Sequence, residues 1–216
     1  LGKPTTTGPG SQAGQLVRLN RCLTSNDMAD SSATELHQRG VAAINRGHIR
    51  RAEHLLTQAL DLATEPDLVA RVNASLAYTQ AELGDRQGAL ERCAAAMRIR
   101  ELSPRSRAIV RSQQAVLMSR GGDLAAVIGL FDLALPALTP NSTERANALI
   151  NRGVAHLELG NFGRADVDFL AAAADYLADN DPQGAASAEH NRGYVHLLQG
   201  DLVGALELMD RAATEL

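Results

Sequence analysis

The chain has 216 residues, 45% of them hydrophobic, enough to bury a core in one large domain or two small ones. It has no Trp, three Tyr and three Phe against abundant Ala and Leu, which favours helices packed through small residues over β-sandwiches rich in β-branched and aromatic residues. A formal net charge of −4 leaves no basic footprint for nucleic acid, and no apolar run approaches the ~20 residues of a membrane span.

The N-terminus, LGKPTTTGPGSQAGQ, has neither the basic start nor the apolar stretch of a secretory signal. It also lacks an initiator Met, as expected of a processed chain, a fragment or an excised domain. Residues 1–32 read as a flexible leader, with 1–15 rich in Thr, Gly, Ser and Pro. Residues 16–23, LVRLNRCL, are either a short helix docked on the first helical unit or a loose segment. Cys22 and Cys93 are too few for a disulfide framework or a metal site, so a reducing cytoplasm is the expected compartment. Lys3 is the only Lys beside many Arg, Ala and Gly, a usage that points to a GC-rich bacterial genome.

From residue 33 onward the chain reads as five repeated units, about 33–66, 67–104, 105–140, 141–181 and 182–216. The turn signatures Gly47-His48, Gly84-Asp85, Gly122-Asp123, Gly160-Asn161 and Gly200-Asp201 recur at separations of 37, 38, 38 and 40 residues. Gly can end one helix in the left-handed conformation, and the residue after it can start the next. Five residues after each glycine comes a small or β-branched residue: Ala52, Ala89, Val127, Ala165 and Ala205. Seven further on comes another, Ala59, Ala96, Ala134, Ala172 and Ala212, with a bulkier Leu56, Cys93, Phe131, Phe169 or Met209 between. Small residues seven apart share one helix face, where a second helix can approach closely. The first helices keep small residues too, at Gly40, Ala77, Ala115, Gly153 and Gly193.

Each unit is therefore an antiparallel helical hairpin that buries its apolar face only against a neighbour. The expected helix pairs are 33–63, 67–100, 105–138, 143–178 and 182–215, with Pro66, Pro104, Pro140 and Pro182 introducing first helices and Ser103 and Asp181 as N-caps. Pro136 falls where the second helix of unit three should continue, which predicts a kink or an early end.

This pattern resembles the tetratricopeptide repeat, best in unit four with Gly153, Gly160, Ala165, Phe169 and Ala172. The resemblance covers about residues 33–216 and implies an all-α, right-handed superhelical solenoid that binds protein or peptide in its concave groove. Two features depart from it. The period exceeds the usual ~34 residues, which predicts longer helices. The large aromatic early in each first helix is replaced by Leu36, Asn73, Arg111, Leu149 and Glu189. More narrowly, ALINRGVAHLELGNFGRADVDF and AEHNRGYVHLLQGDLVGALELMDRA resemble the repeat region of bacterial CHAT-domain proteins, where such repeats precede a caspase-like cysteine peptidase domain. That resemblance implies a regulatory N-terminal region, with the catalytic His and Cys in a domain that nothing here matches.

The groove face of the first helices carries Gln38, Ser75, Gln113, Asn151 and Asn191 at equivalent places. These form either a ladder that holds the main chain of an extended peptide or a solvated helix face. Val41, Tyr78, Val116, Val154 and Tyr194, with Ile44, Leu157 and Leu197, form either an apolar groove floor or a surface buried against the next hairpin. Arg39, Arg152 and Arg192 are read as ion pairs between repeats, with Glu189 and Asp168 as candidate partners, or as binders of acidic peptide groups. His156 and His196 occupy the same place in adjacent units, but no ligand set at a recognised spacing surrounds them. Cys93 sits at a packing position, and no catalytic motif is present, so neither catalysis, a metal nor a cofactor is expected.

The sequence thus reads as a protein-interaction scaffold, in its specific form the sensing region of a CHAT-type peptidase. The alternative is the sensor part of a bacterial transcription regulator. Leu202, Leu206 and Met209 have no sixth unit to cover them, so an effector domain is expected to follow Leu216.

Overall fold

The computed structural model describes residues 25–214, and among them every regular element is helical. The helices pair in chain order: α1 (Ser25–Asn45) with α2 (Ile49–Leu62), α3 (Pro66–Glu82) with α4 (Arg86–Ala96), and α5 (Pro104–Ser119) with α6 (Leu124–Ala134). After a 3-10 turn at Leu135–Ala137 come α7 (Thr143–Glu158) with α8 (Phe162–Ala178), then α9 (Pro182–Leu198) with α10 (Leu202–Ala213). Each hairpin packs on the next, so the fold is an all-α solenoid of five helical hairpins.

All five expected turn glycines adopt positive φ, between 73° and 102°. In four of the turns the same two bonds close the helix end, as when Gly84 N–H donates to the Ala81 carbonyl and Asp85 N–H to that of Gln80. Only a left-handed residue lets the chain reverse while both bonds form. The turn at Gly122 keeps the first bond, from Gly122 N–H to the Ser119 carbonyl, but the Met118 carbonyl accepts from Gly121 N–H in place of the second. Asp85, Asp123 and Asp201 then cap the following helices by accepting from Gly88, Ala126 and Gly204 N–H, whereas His48 and Asn161 make no such side-chain bond. Ser103 and Asp181 cap α5 and α9 as expected, and Glu65 and Ser142 do the same for α3 and α7.

The repeated small and bulky residues form the core. Ala52, Ala89, Val127 and Ala165 are fully buried, as are Leu56, Cys93 and Phe169, with Phe131 1% exposed. Gly40 and Gly153 lie directly against Leu56 and Phe169, and Gly193 lies against Met209. A Cβ at Gly153 would stand 2.6 Å from the Phe169 ring, so the glycine is required by the close approach of the two helices.

Three boundaries differ from the sequence reading. Helix α1 (Ser25–Asn45) already includes the described residues ahead of residue 33, so residues 25–32 belong to the first hairpin. The early turns are used: the Asp30 carboxylate accepts from Thr64 N–H at 2.6 Å and Thr64 O–H at 2.8 Å, holding the loop that leads into α3. The segment 16–23 lies outside the described residues. Helix α4 stops at Ala96, before residue 100, and α6 stops at Ala134, just before the turn that contains Pro136. The long period is therefore built in two ways. Helices α8 and α9 have 17 residues, whereas α4 and α6 have 11 and are followed by longer connections.

Candidate functional site

The first helices α1, α3, α5 and α7 line a cavity of about 410 Å³. The residues that line it include Ser75, Gln113 and Asn151 of the amide row, together with Tyr78, Val41, Ile44 and Val116 of the apolar row. The 3.6-residue period makes this one site, because places three and four apart stack on one face. Gln38 is exposed on α1 and does not line the cavity, and neither does Asn191. Val154 and Leu157 pack, half-buried, against the cluster of Ala165, Phe169 and Val195. Tyr194 and Leu197 are 45% and 43% exposed on α9.

Part of the row's hydrogen-bonding capacity is spent within the protein. Ser75 Oγ pairs with His37 Nε2 at 3.0 Å, and Asn151 Nδ2 donates to the Asn147 carbonyl at 2.7 Å. Gln113 Nε2 and Ser112 Oγ are covered by neighbouring atoms and have no partner. Several lining residues escaped the sequence reading, among them Ile109, Ser112, Leu138 and Asn147. Asn147, one turn before Asn151, was recoverable from helical spacing. Its Oδ1 accepts from Tyr176 O–H at 2.6 Å, and burial pushes that phenol up to about 12. Leu138 lies beyond the 3-10 turn, where the repeat phase gives no guide.

Two of the three arginines bridge repeats. Arg152 donates to both oxygens of Asp168, at 2.9 and 2.6 Å, and to Asp132 of the preceding hairpin at 2.6 Å. Arg192 bonds Asp166 of the preceding hairpin at 2.9 Å and Glu189 of its own helix at 3.2 Å. Among the described residues Arg39 pairs with Glu35, at 4.0 Å on the exposed surface of α1. His156 is buried, its Nδ1 is unpartnered, and burial lowers its pKa. His196 pairs instead with Asp201 at 2.8 Å. Burial also pushes the Cys93 thiol up to about 11, so it stays protonated and acts as a small hydrophobe. Among the described residues no three His, Cys, Asp or Glu side chains gather as a metal-ion site.

No family model and no curated protein matches the sequence. Solved structures do. BtubC from P. vanneervenii superposes with a TM-score of 0.64 at 21% identity, covering 89% of this chain and 91% of that one. A Rap protein complexed with Competence and Sporulation Factor gives a TM-score of 0.71 at 19% identity, covering 85% of this chain and 54% of that one. A Podospora anserina putative kinesin light chain with nearly identical TPR-like repeats gives 0.59 at 15% identity, covering 86% and 95%. The fold is that of a tetratricopeptide-type solenoid. At these identities the likeness concerns the fold, and function must be argued from the site. Among the described residues no helix is long and apolar enough to cross a membrane.

Proposed function

We propose that the chain is a protein-interaction scaffold that binds an extended peptide or partner segment in the groove of α1, α3, α5 and α7. The observation that carries this reading is the cavity itself: a concave site with apolar walls, a row of carboxamides, and polar atoms that the fold leaves unpaired. The Rap protein is complexed with a factor, and its likeness over 85% of this chain is consistent with a ligand-holding groove here.

Selection from a displayed library of linear peptides tests the reading. Val116→Trp fills the cavity and should abolish capture, and Asn151→Ala should weaken the affinity of selected peptides about tenfold. Val167→Ser, on the exposed surface of α8, should leave it unchanged. Capture indifferent to Val116→Trp would place the binding surface elsewhere.

The finer form of the proposal is the regulatory region of a CHAT-type caspase-like peptidase. It rests on the segments around Asn151 and Asn191, where NRG is followed by an apolar helix and a Gly-Asn or Gly-Asp turn. Reading the coding sequence downstream of Leu216 tests it. A domain with paired catalytic His and Cys is expected, and a DNA-binding helix-turn-helix would favour the sensor of a transcription regulator instead.

A further inference from the structure

We infer that the groove selects an uncharged, aliphatic stretch within a ligand chain, and that Gln113 is the residue that reads the ligand's main chain. This deepens the groove reading above and rests on it.

Charge decides the ligand class first. The walls at Val41, Ile44, Ile109, Val116 and Leu138 are apolar, and among the described residues no Arg or Lys lines the cavity. The one charged side chain among the described lining residues is Glu144, which is neutralised by Arg105 at 2.6 Å. An acidic side chain or a terminal carboxylate entering here would lose its water and find no cation. A lysine would compete with Arg105 for a single carboxylate. An aliphatic side chain loses nothing on entry and covers apolar wall.

Hydrogen bonding then singles out one residue. Within the amide row, Ser75 is held by His37 and Asn151 by the Asn147 carbonyl. Gln113 stands between them, and its Nε2, like the adjacent Ser112 Oγ, is covered and unpaired. A covered amide without an acceptor is unfavourable, and groups of this kind need an explanation. Nε2 is shielded by its neighbours, so a ligand acceptor reaches it only when the side chain swings its amide towards the groove. Pairing that nitrogen favours the swing. An extended chain offers a carbonyl at every residue and sends alternate side chains to one side, so one carbonyl can meet Gln113 while an adjacent side chain enters the cavity.

The test uses peptides selected on the whole chain, synthesised as free acids and as C-terminal amides, with affinities read by fluorescence anisotropy. Selected peptides should carry an aliphatic residue within an uncharged stretch, and amidation should leave their affinity unchanged. Gln113→Leu should weaken them about tenfold while raising the melting temperature, since it removes an unpaired buried amide; Gln113→Met serves as the second variant. A merely structural glutamine would lower both or neither. Peptides lost in Val116→Trp that require an acidic side chain or a free carboxylate, or that are indifferent to both Gln113 variants, would overturn this inference and leave the groove reading standing. Peptides indifferent to Val116→Trp, or no selected peptide at all, would instead remove the groove reading on which it rests.

Discussion

Two glycines of unit four do opposite work at the residue scale. Gly153 has ordinary backbone geometry, but a Cβ there would meet the Phe169 ring at 2.6 Å. Gly160 has open space around it, but its φ is +73°. Gly153→Ala is therefore an overpacking substitution and should cost about 1–3 kcal/mol, partly recovered when Phe169→Leu is added. Gly160→Ala is a backbone-strain substitution and should cost about 1–2 kcal/mol, with no recovery from the same second change. Urea denaturation of the four variants separates the two mechanisms. His37 gives a second handle. Burial first, and the Arg71 charge second, lower its pKa from 6.5 to about 4. The unfolded chain then binds the proton before the folded one, so His37 makes stability fall as pH drops from about 6.5 to about 4. Above that window it contributes no pH dependence. At ~1.4 kcal/mol per pKa unit the loss is of order 3 kcal/mol, and smaller where water reaches the ring. His37→Gln keeps a polar partner for Ser75, and melting curves across that window should flatten by this amount.

At the element scale, helix ends were more legible than helix lengths. The glycine turns and the caps at Ser103 and Asp181 arise from local chemistry, so the sequence located them. The helical turns of α1 ahead of residue 33 hold Thr64 through Asp30, more than thirty residues away, and no local signal announces such a contact. The same holds at the break after α6. Pro136 marked its place, but the structure added what spans it: Arg152 of α7 reaches back to Asp132 while gripping Asp168 of α8. The Asp168 carboxylate is 5% exposed and Arg152 22% exposed, so this is a largely buried pair. Removing one member strands the other. Asp168→Ala should cost about 2–4 kcal/mol, and the double variant Asp168→Leu with Arg152→Met should recover much of that loss. A double-mutant cycle in urea reads the coupling, and purely additive losses would show that the pair acts independently.

For the whole molecule, repetition made the fold readable and the site only half readable. Phase-locked residues such as Phe131, Phe169 and the turn glycines report the hairpin, because each hairpin obeys the same packing rule. The cavity depends on how successive first helices sit together. The amide row was therefore visible as a row, while the merging of Ser75, Gln113 and Asn151 into one site, and the exclusion of Gln38 and Asn191, was not. The same one-dimensional architecture fixes how the protein opens. Each hairpin is stabilised through the faces it buries against its neighbours. In the last described hairpin, Leu202, Val203 and Leu206 are 60%, 68% and 63% exposed, and Met209, unlike Phe169 and Phe131, is only partly buried. Phe131 and Phe169 lie at the bulky place of the two hairpins before it, where burial on this scale contributes about 1.5–3 kcal/mol per side chain. Opening should therefore begin at α10 and α9. Native-state hydrogen exchange should show the amides of α10 opening at least ~2 kcal/mol more easily than those of α5 and α7. Equal protection along the chain would mean that the five hairpins unfold as one cooperative unit, with nearest-neighbour coupling strong enough to offset the exposed apolar face of α10.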